Sequence, residues 1–227
     1  MKHGDTEKVI CAWSGGKDSA LALHEIRKSG KYEIVSLLTT VTEDYGRVSM
    51  HGVRRGLLER QAEALRLPLR EILISKGASN EDYEAAMREA LLEFKAGGVM
   101  SVVFGDIFLE DLKKYREDNL AKVGMNGIFP IWKRDTAGLA REFIAGGFKA
   151  IVTCVDTKAL DGSFAGREID KNFLADLPAG ADPCGENGEF HSFVFDGPVF
   201  SEGIPVKKGK VVLRDGRFCF CDLVPDR

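Results

Sequence analysis

Two stretches of this 227-residue chain carry side chains whose types and spacing could do chemistry. The first is Ser14-Gly15-Gly16-Lys17-Asp18-Ser19. Adjacent glycines remove the Cβ atoms that would hold an anion away from the backbone, and they permit unusual backbone angles. Ser14 and Ser19 add hydroxyl donors and Lys17 adds charge, so the stretch reads as an anion site. It is not a Walker A loop: with Gly16-Lys17 as the end of that motif, Cys11 stands where its first glycine belongs and Asp18 replaces Ser or Thr. Nor is it a dinucleotide fingerprint, because Gly15 and Gly16 are adjacent. The second stretch runs from Asp182 to Ser192 and gathers Glu186, Asn187, Glu189 and His191. If the backbone from Glu189 onward is extended, Glu189 and His191 share a face. Two carboxylates, an amide and an imidazole could bind a cation, orient an amine or act as acid and base. The same composition also fits a solvated surface loop.

The elements that must position these groups alternate through the first half. Val9-Ile10-Cys11-Ala12-Trp13 predicts a buried strand that enters the glycine turn, and Ser19 to Lys28 predicts the following helix. The helix dipole adds to the anion site. Further strands are predicted at Glu33–Thr40, Leu69–Ile74 and Val99–Phe104. Helices are predicted at about Gly52–Arg66, Ser79–Ala96 and Leu109–Val123. Ser79 with Asp82 gives a capping-box signal. Strands alternating with helices predict an α/β fold, a parallel doubly wound sheet. Ligands in such sheets sit at the carboxyl ends of the strands. Three loops therefore converge on one crevice: Ser14–Ser19, Thr39–His51 and Gly105–Asp111. His51, Arg54 and Arg55 fall at its mouth, and Arg54 is a candidate for substrate binding, though an arginine pair on a helix also reads as a solvated face. Asp106 could contact ribose or metal, or cap the next helix.

Beyond residue 130 the pattern changes. Asp135 or Thr136 could cap a helix, Ala150–Val155 reads as a strand, and the chain from Asp161 is rich in glycine and proline. Asp215-Gly216 between two apolar alternating runs predicts a type I′ hairpin. The expected organisation is a nucleotide-binding domain over residues 1–130 and a smaller mixed α+β C-terminal domain over residues 131–227.

Composition narrows the class. Hydrophobic residues make up 44% and charged residues 30%, which is ordinary for a globular enzyme. A net charge of -3 argues against a protein that holds nucleic acid by bulk electrostatics. No apolar run reaches membrane-spanning length, and no secretory leader is read at Met1–Lys8. Five scattered cysteines, Cys11, Cys154, Cys184, Cys219 and Cys221, suit reduced thiols in a cytoplasm.

The Ser14–Ser19 loop resembles the pyrophosphate-binding (PP) loop of ATP pyrophosphatases. Together with Gly105-Asp106-Ile107 and Gly185-Glu186-Asn187-Gly188-Glu189-Phe190-His191, followed by Asp196-Gly197-Pro198, it resembles the diphthine–ammonia ligase family. The resemblance spans Val9 to about Phe200. The Cys184-Gly185-Glu186-Asn187 form is similar to the bacterial branch, whereas eukaryotic and archaeal members tend to carry glycine at the Asn187 position. The resemblance implies an adenine nucleotide α-hydrolase-like fold, with ATP and Mg²⁺ as cofactors and with ammonia and an acyl compound as co-substrates. It implies a reaction in which an oxygen of the acyl substrate attacks the α phosphate, pyrophosphate leaves, and ammonia then displaces AMP. ATP would be held by Ser14, Gly15, Gly16, Lys17, Asp18, Ser19, Thr39, His51, Gly105 and Asp106, with Asp18 on the metal. Lys17, Asp18, Glu186, Glu189 and His191 would act in catalysis, and Arg54, Glu186, Asn187, Glu189 and His191 would meet the substrate. The acyl substrate and the oligomeric state are left open. Two other readings stand beside this one. An RNA-modifying enzyme of the tRNA-thiolation type would want a persulfide-carrying cysteine, for which Cys184 is the candidate. A nucleotide sensor would have no need of Glu186, Glu189 and His191.

Overall fold

The structure is a computed structural model that describes residues 6–48 and 52–226. β1 (Glu7–Ala12) runs into the glycine turn and α1 (Lys17–Ser29) leaves it. β2 (Tyr32–Thr42), the short β3 (Arg47–Val48), α2 (Arg55–Leu65) and β4 (Leu69–Ile74) follow. Then come α3 (Asn80–Ala96), β5 (Ser101–Val103), α4 (Glu110–Lys122) and β6 (Asn126–Ile128). Parallel pairing gives the order β4-β2-β1-β5-β6, with β3 antiparallel on β2. The chain winds outward from β1 to β4, then crosses back to β5. Its winding reverses between β1 and β5, and a crevice opens there beyond the strand ends.

Side-chain alternation along β1 explains why both faces are covered. Val9 and Cys11 enter the core that contains α1 and α2, while Ile10 enters the core beneath α3 and α4. The predicted capping box forms: Asp82 N donates to Ser79 Oγ at 3.1 Å and Ser79 N donates to Asp82 Oδ2 at 3.0 Å.

The second half contains α5 (Thr136–Ala145), β7 (Lys149–Asp156), α6 (Lys171–Asp176), β8 (Phe190–Asp196), β9 (Val206–Arg214) and β10 (Phe218–Pro225). Asp135 caps α5 by accepting from Gly138 N at 2.6 Å. The second sheet is antiparallel in the order β8-β7-β10-β9. Asp215 and Gly216 both take positive φ, 52° and 61°, as a type I′ turn requires. Phe193 and Val194 of β8 share one apolar core with Leu57, Leu58 and Leu23 of the first half.

Several boundaries differ from the sequence expectation for physical reasons. α2 begins at Arg55, because Gly52 at φ 67° and Arg54 in an extended conformation belong to the preceding loop. β6 and α6 lie in stretches whose turn residues masked them. Each is short, and so is held mainly by its neighbours. No helix among the described residues is long and apolar enough to cross a membrane.

Candidate active site

A cavity of about 660 Å³ opens where β1 and β5 end. Ser14, Gly16, Lys17, Asp18 and Ser19 form one wall. Gly15 sits at φ 77°, and a Cβ there would lie 2.7 Å from both Gln61 Oε1 and Leu58 Cδ2. Gly16 is the N-cap of α1 and supplies no side chain; its N–H donates to Ser14 Oγ at 3.3 Å and that of Lys17 to Ser192 Oγ at 3.2 Å, so hydroxyls meet the first amides of the helix at the cavity wall. Ser19 Oγ donates to Gly16 O at 2.9 Å and lies 3.3 Å from Ser14 Oγ. Gly105 presses against the same turn. A Cβ there would meet Asp18 C at 2.7 Å and Ser19 N at 2.9 Å, so only glycine lets the β5–α4 loop approach this closely.

Lys17 is buried, 1% exposed, and its ammonium pairs with the Asp18 carboxylate. Burial works against its charge, but the Asp18 carboxylate outweighs it and holds the ammonium protonated. Asp18, whose side chain is 31% exposed, turns toward the cavity. Thr39 lies on the cavity wall with its Oγ1 buried and without a hydrogen-bond partner among the described residues. A buried hydroxyl left unpaired costs about 1–3 kcal/mol unless a ligand meets it. Asp106 is engaged by Arg116, whose Nη2 donates to Oδ1 at 3.1 Å and whose guanidinium stacks 4.6 Å over Phe104.

The second stretch folds back over this wall. Glu186 Oε1 accepts from Ile107 N at 2.7 Å and Phe108 N at 3.3 Å, which ties the C-terminal half to the β5–α4 loop. Burial pushes its carboxyl up to about 7; nearby Asp18 and Asp106 add to the rise and the two backbone donors oppose it. His191, on β8, also lines the cavity, and burial lowers its pKa, so it is neutral near pH 7.

Glu189 has a different place. Its side chain is buried, with Oε1 accepting from Asp182 N at 2.9 Å and Asn187 Nδ2 at 3.1 Å, and Oε2 accepting from Asn187 N at 3.0 Å. Glu189 and Asn187 thus hold the shape of the loop and lie outside the cavity lining. Arg54 also lies away from the cavity: it grips Asp222 of β10 through Nε at 3.0 Å and Nη2 at 2.6 Å, beside Arg47. Arg55 pairs with Glu71. The extended geometry after Glu189 is present, but the chain bonds of its loop turn Glu189 inward before β8 begins. His51 lies outside the described residues.

Sequence reasoning offered Cys184 only as a sulfur carrier, and it missed Ser192 and Gln61. Ser192 Oγ accepts from Lys17 N at 3.2 Å, so β8 touches the first turn of α1. Cys184 lines the cavity beside Lys17. Gln61 is fully buried behind the glycine turn. Its signal was a lone polar residue inside the apolar stripe Leu57, Leu58, Ala62, Leu65 of α2.

A parallel sheet with a glycine-turned anion loop at its reversal point, closed by a second, antiparallel sheet, is an α/β protein of adenine nucleotide α-hydrolase-like fold. The chain belongs to the diphthamide synthase family: residues 7–127 match the model of the diphthamide synthase N-terminal domain and residues 135–222 that of its C-terminal domain. Among curated relatives, proteins named diphthine–ammonia ligase are 27% identical in Danio rerio over 91% of this chain and 89% of that protein, and 25% identical in Homo sapiens over 91% and 85%. The Schizosaccharomyces pombe protein of that name is 25% identical over 94% of this chain, which spans only 38% of its length.

Proposed function

We propose that this chain is an ATP-dependent ligase that adenylates a carboxyl group, releases pyrophosphate, and forms an amide with ammonia as AMP leaves. The observation that carries the reading is one cavity in which the glycine turn at the start of α1, Asp18 and Glu186 converge from both halves of the chain. The names of the relatives supply the reaction class. In this reading residues 1–130 hold ATP and residues 131–227 present the acyl substrate.

Two steps follow from the chemistry. A carboxylate oxygen of the substrate attacks the α phosphorus, the bond to the bridging oxygen breaks, and pyrophosphate leaves with that electron pair. Ammonia then attacks the acyl carbon, the acyl–oxygen bond breaks, and AMP leaves. The backbone around Gly15 and Gly16, the hydroxyls of Ser14 and Ser19 and the Lys17 charge stabilise the departing pyrophosphate. Gly105 keeps the opposing loop close, and Thr39 Oγ1 is a hydroxyl waiting for a polar group of the nucleotide. The attacking nitrogen must lose a proton, and Glu186, with its carboxyl near 7, is placed to take it. Neutral His191 can accept or donate a hydrogen bond beside it.

Mg²⁺ fits in a limited way. No cluster of three or more His, Cys, Asp or Glu that could hold a metal is found among the described residues. Magnesium commonly binds nucleotides through one or two carboxylates plus the phosphates themselves, and Asp18, turned toward the cavity, would supply one such carboxylate. When bound, the ion would neutralise phosphate charge. The thiolation reading is weaker on this geometry. Cys184 is buried, its Sγ donates to Thr136 O at 3.3 Å, and burial pushes its thiol up to about 12, the reverse of a sulfur-transferring thiolate. Five buried free cysteines accord with a cytoplasmic location.

Carboxylate-dependent exchange of labelled pyrophosphate into ATP tests the reading without requiring ammonia. Exchange with a diphthine substrate or another carboxylate, and AMP formation once ammonium is added, is the expected result. Cleavage of ATP to ADP, or no exchange across a broad carboxylate panel, would overturn it.

A further inference from the structure

The amide of Gln61 is buried outside the cavity lining, yet it bonds to both halves of the site. Gln61 Nε2 donates to Gly15 O at 3.0 Å and to Val194 O at 2.6 Å, while its Oε1 accepts from Trp13 Nε1 at 2.9 Å. Val194 N donates to Gly15 O at 2.9 Å. The carbonyl of Gly15 is therefore gripped twice, once by a side chain of α2 and once by the backbone of β8. Fixing that carbonyl fixes the planar Gly15–Gly16 peptide, whose N–H donates to Ser14 Oγ at 3.3 Å, and so sets the shape of the turn at the cavity wall. Ser192 Oγ completes the contact by accepting from Lys17 N. Ser192 and Val194 are on the same strand as His191, and that strand continues directly from the Gly185–Glu189 loop.

We propose that Gln61 is a positioning residue for the phosphate loop, and that it makes the shape of the loop depend on the seating of β8 and hence of the Glu186–His191 stretch. The proposal rests on the ATP-binding reading above. The geometry favours coupling over simple core filling. A core residue at this point of the α2 stripe would be apolar, and a buried amide is tolerated only where each polar atom finds a partner. All the partners of Gln61 belong to the strand entering the turn, to the turn itself, or to β8. A Cβ on Gly15 would collide with the same amide, so turn and clamp are fitted to one another.

Calorimetric titration of the full chain with α,β-methylene-ATP and with adenosine separates this from a stability effect. In the ATP-binding reading the clamp shapes the loop that meets phosphate. Gln61→Met is expected to weaken the ATP analogue by about tenfold, the worth of one to two buried hydrogen bonds, and to leave adenosine within about twofold. Should Gln61→Met fail to fold, Gln61→Asn carries the test: it keeps a polar amide but is one methylene short of Gly15 O and Val194 O, with an expected loss of about threefold confined to the analogue. Equal weakening of both ligands by Gln61→Met, or unchanged binding of the analogue by it (by Gln61→Asn where Gln61→Met does not fold), would overturn the clamp. If the parent chain binds neither ligand, the ATP reading itself fails and the clamp falls with it.

Discussion

At the β1–α1 turn the chemistry comes from backbone. Gly15 and Gly16 strip away side chains, and the residues that follow keep their polar atoms at the cavity wall. Across the cavity, in the Asp182–Ser192 stretch, the chemistry comes from side chains that the fold sorts one by one. Glu186 reaches out to the amides of Ile107 and Phe108, whereas Glu189 turns inward and binds Asp182 N and both Asn187 donors. Two carboxylates of the same motif thus serve opposite ends, one facing the cavity and one holding the loop that carries the first. A turn made of backbone is specified locally. A cluster of side chains is specified by whatever each one meets.

The largest effect expected from this contrast is at Lys17. Replacing its buried ammonium with an apolar group, Lys17→Met, removes the cation beside the anion site and leaves Asp18 without its partner. AMP formation should fall by about 100-fold or more, the scale of losing one electrostatic stabiliser of a leaving group. Retention of full activity would mean that the backbone alone stabilises pyrophosphate and that the first region needs no side-chain charge.

The next effect separates the two glutamates. Glu189→Ala abandons the amide donors of Asp182 and Asn187 in a buried setting and should cost about 2–3 kcal/mol of stability. For a chain of this size that is a fall in Tm of roughly 5–10 °C. Glu186→Gln keeps an acceptor for Ile107 N, so Tm should hardly move while amide formation drops. If Glu189→Ala keeps its Tm and loses only turnover, the assignment of the two glutamates is reversed.

These assignments show what could be seen in the sequence and what could not. The parallel sheet, the glycine turn, the Ser79–Asp82 capping box and the Asp215-Gly216 hairpin were all legible, because periodicity, caps and turns are properties of neighbours in the chain. The fate of Glu189 was not. Extended geometry places Glu189 and His191 on one face, but Gly185 and Gly188, at φ 70° and 87°, curl the loop so that its own amides capture the carboxylate. Arg54 likewise was placed at the crevice mouth by its position after β2, and Asp222, far along the chain, draws it away. Gln61 and Ser192 act through contacts between distant segments, and a single sequence carries only a faint trace of such contacts: one polar residue in an apolar stripe.

A smaller and more specific effect concerns pH. The Glu186 carboxyl titrates near 7 in the folded chain and near 4.5 when unfolded, so the folded chain binds the extra proton between those values. Stability therefore falls as pH rises from about 4.5 to about 7, and is level on either side as far as this group is concerned. Glu186→Gln should flatten that slope in denaturation curves recorded across the interval. In turnover, the parent chain should gain activity through pH 7 as Glu186 becomes able to take a proton, and the variant should lose that rise. A slope that survives the substitution would assign it to another group, with His191 the next to replace.

The smallest effect is expected at Arg54, and it tests the edge of the comparison. Its guanidinium is about half exposed and shares Asp222 with Arg47, so Asp222 keeps one arginine after Arg54→Ala. Partly exposed ion pairs contribute about 0.2–1 kcal/mol, which predicts a Tm change of no more than about 3 °C. Because the side chain lies outside the cavity lining, KM for ATP and for the acyl substrate should stay within about twofold of the parent values, a change worth less than about 0.5 kcal/mol. A rise in the acyl KM alone would show that the substrate extends beyond the cavity, over the loop after β2 and onto β10. The second region would then be larger than the Asp182–Ser192 stretch, and its outer part would be assembled by the Arg47–Asp222–Arg54 contact.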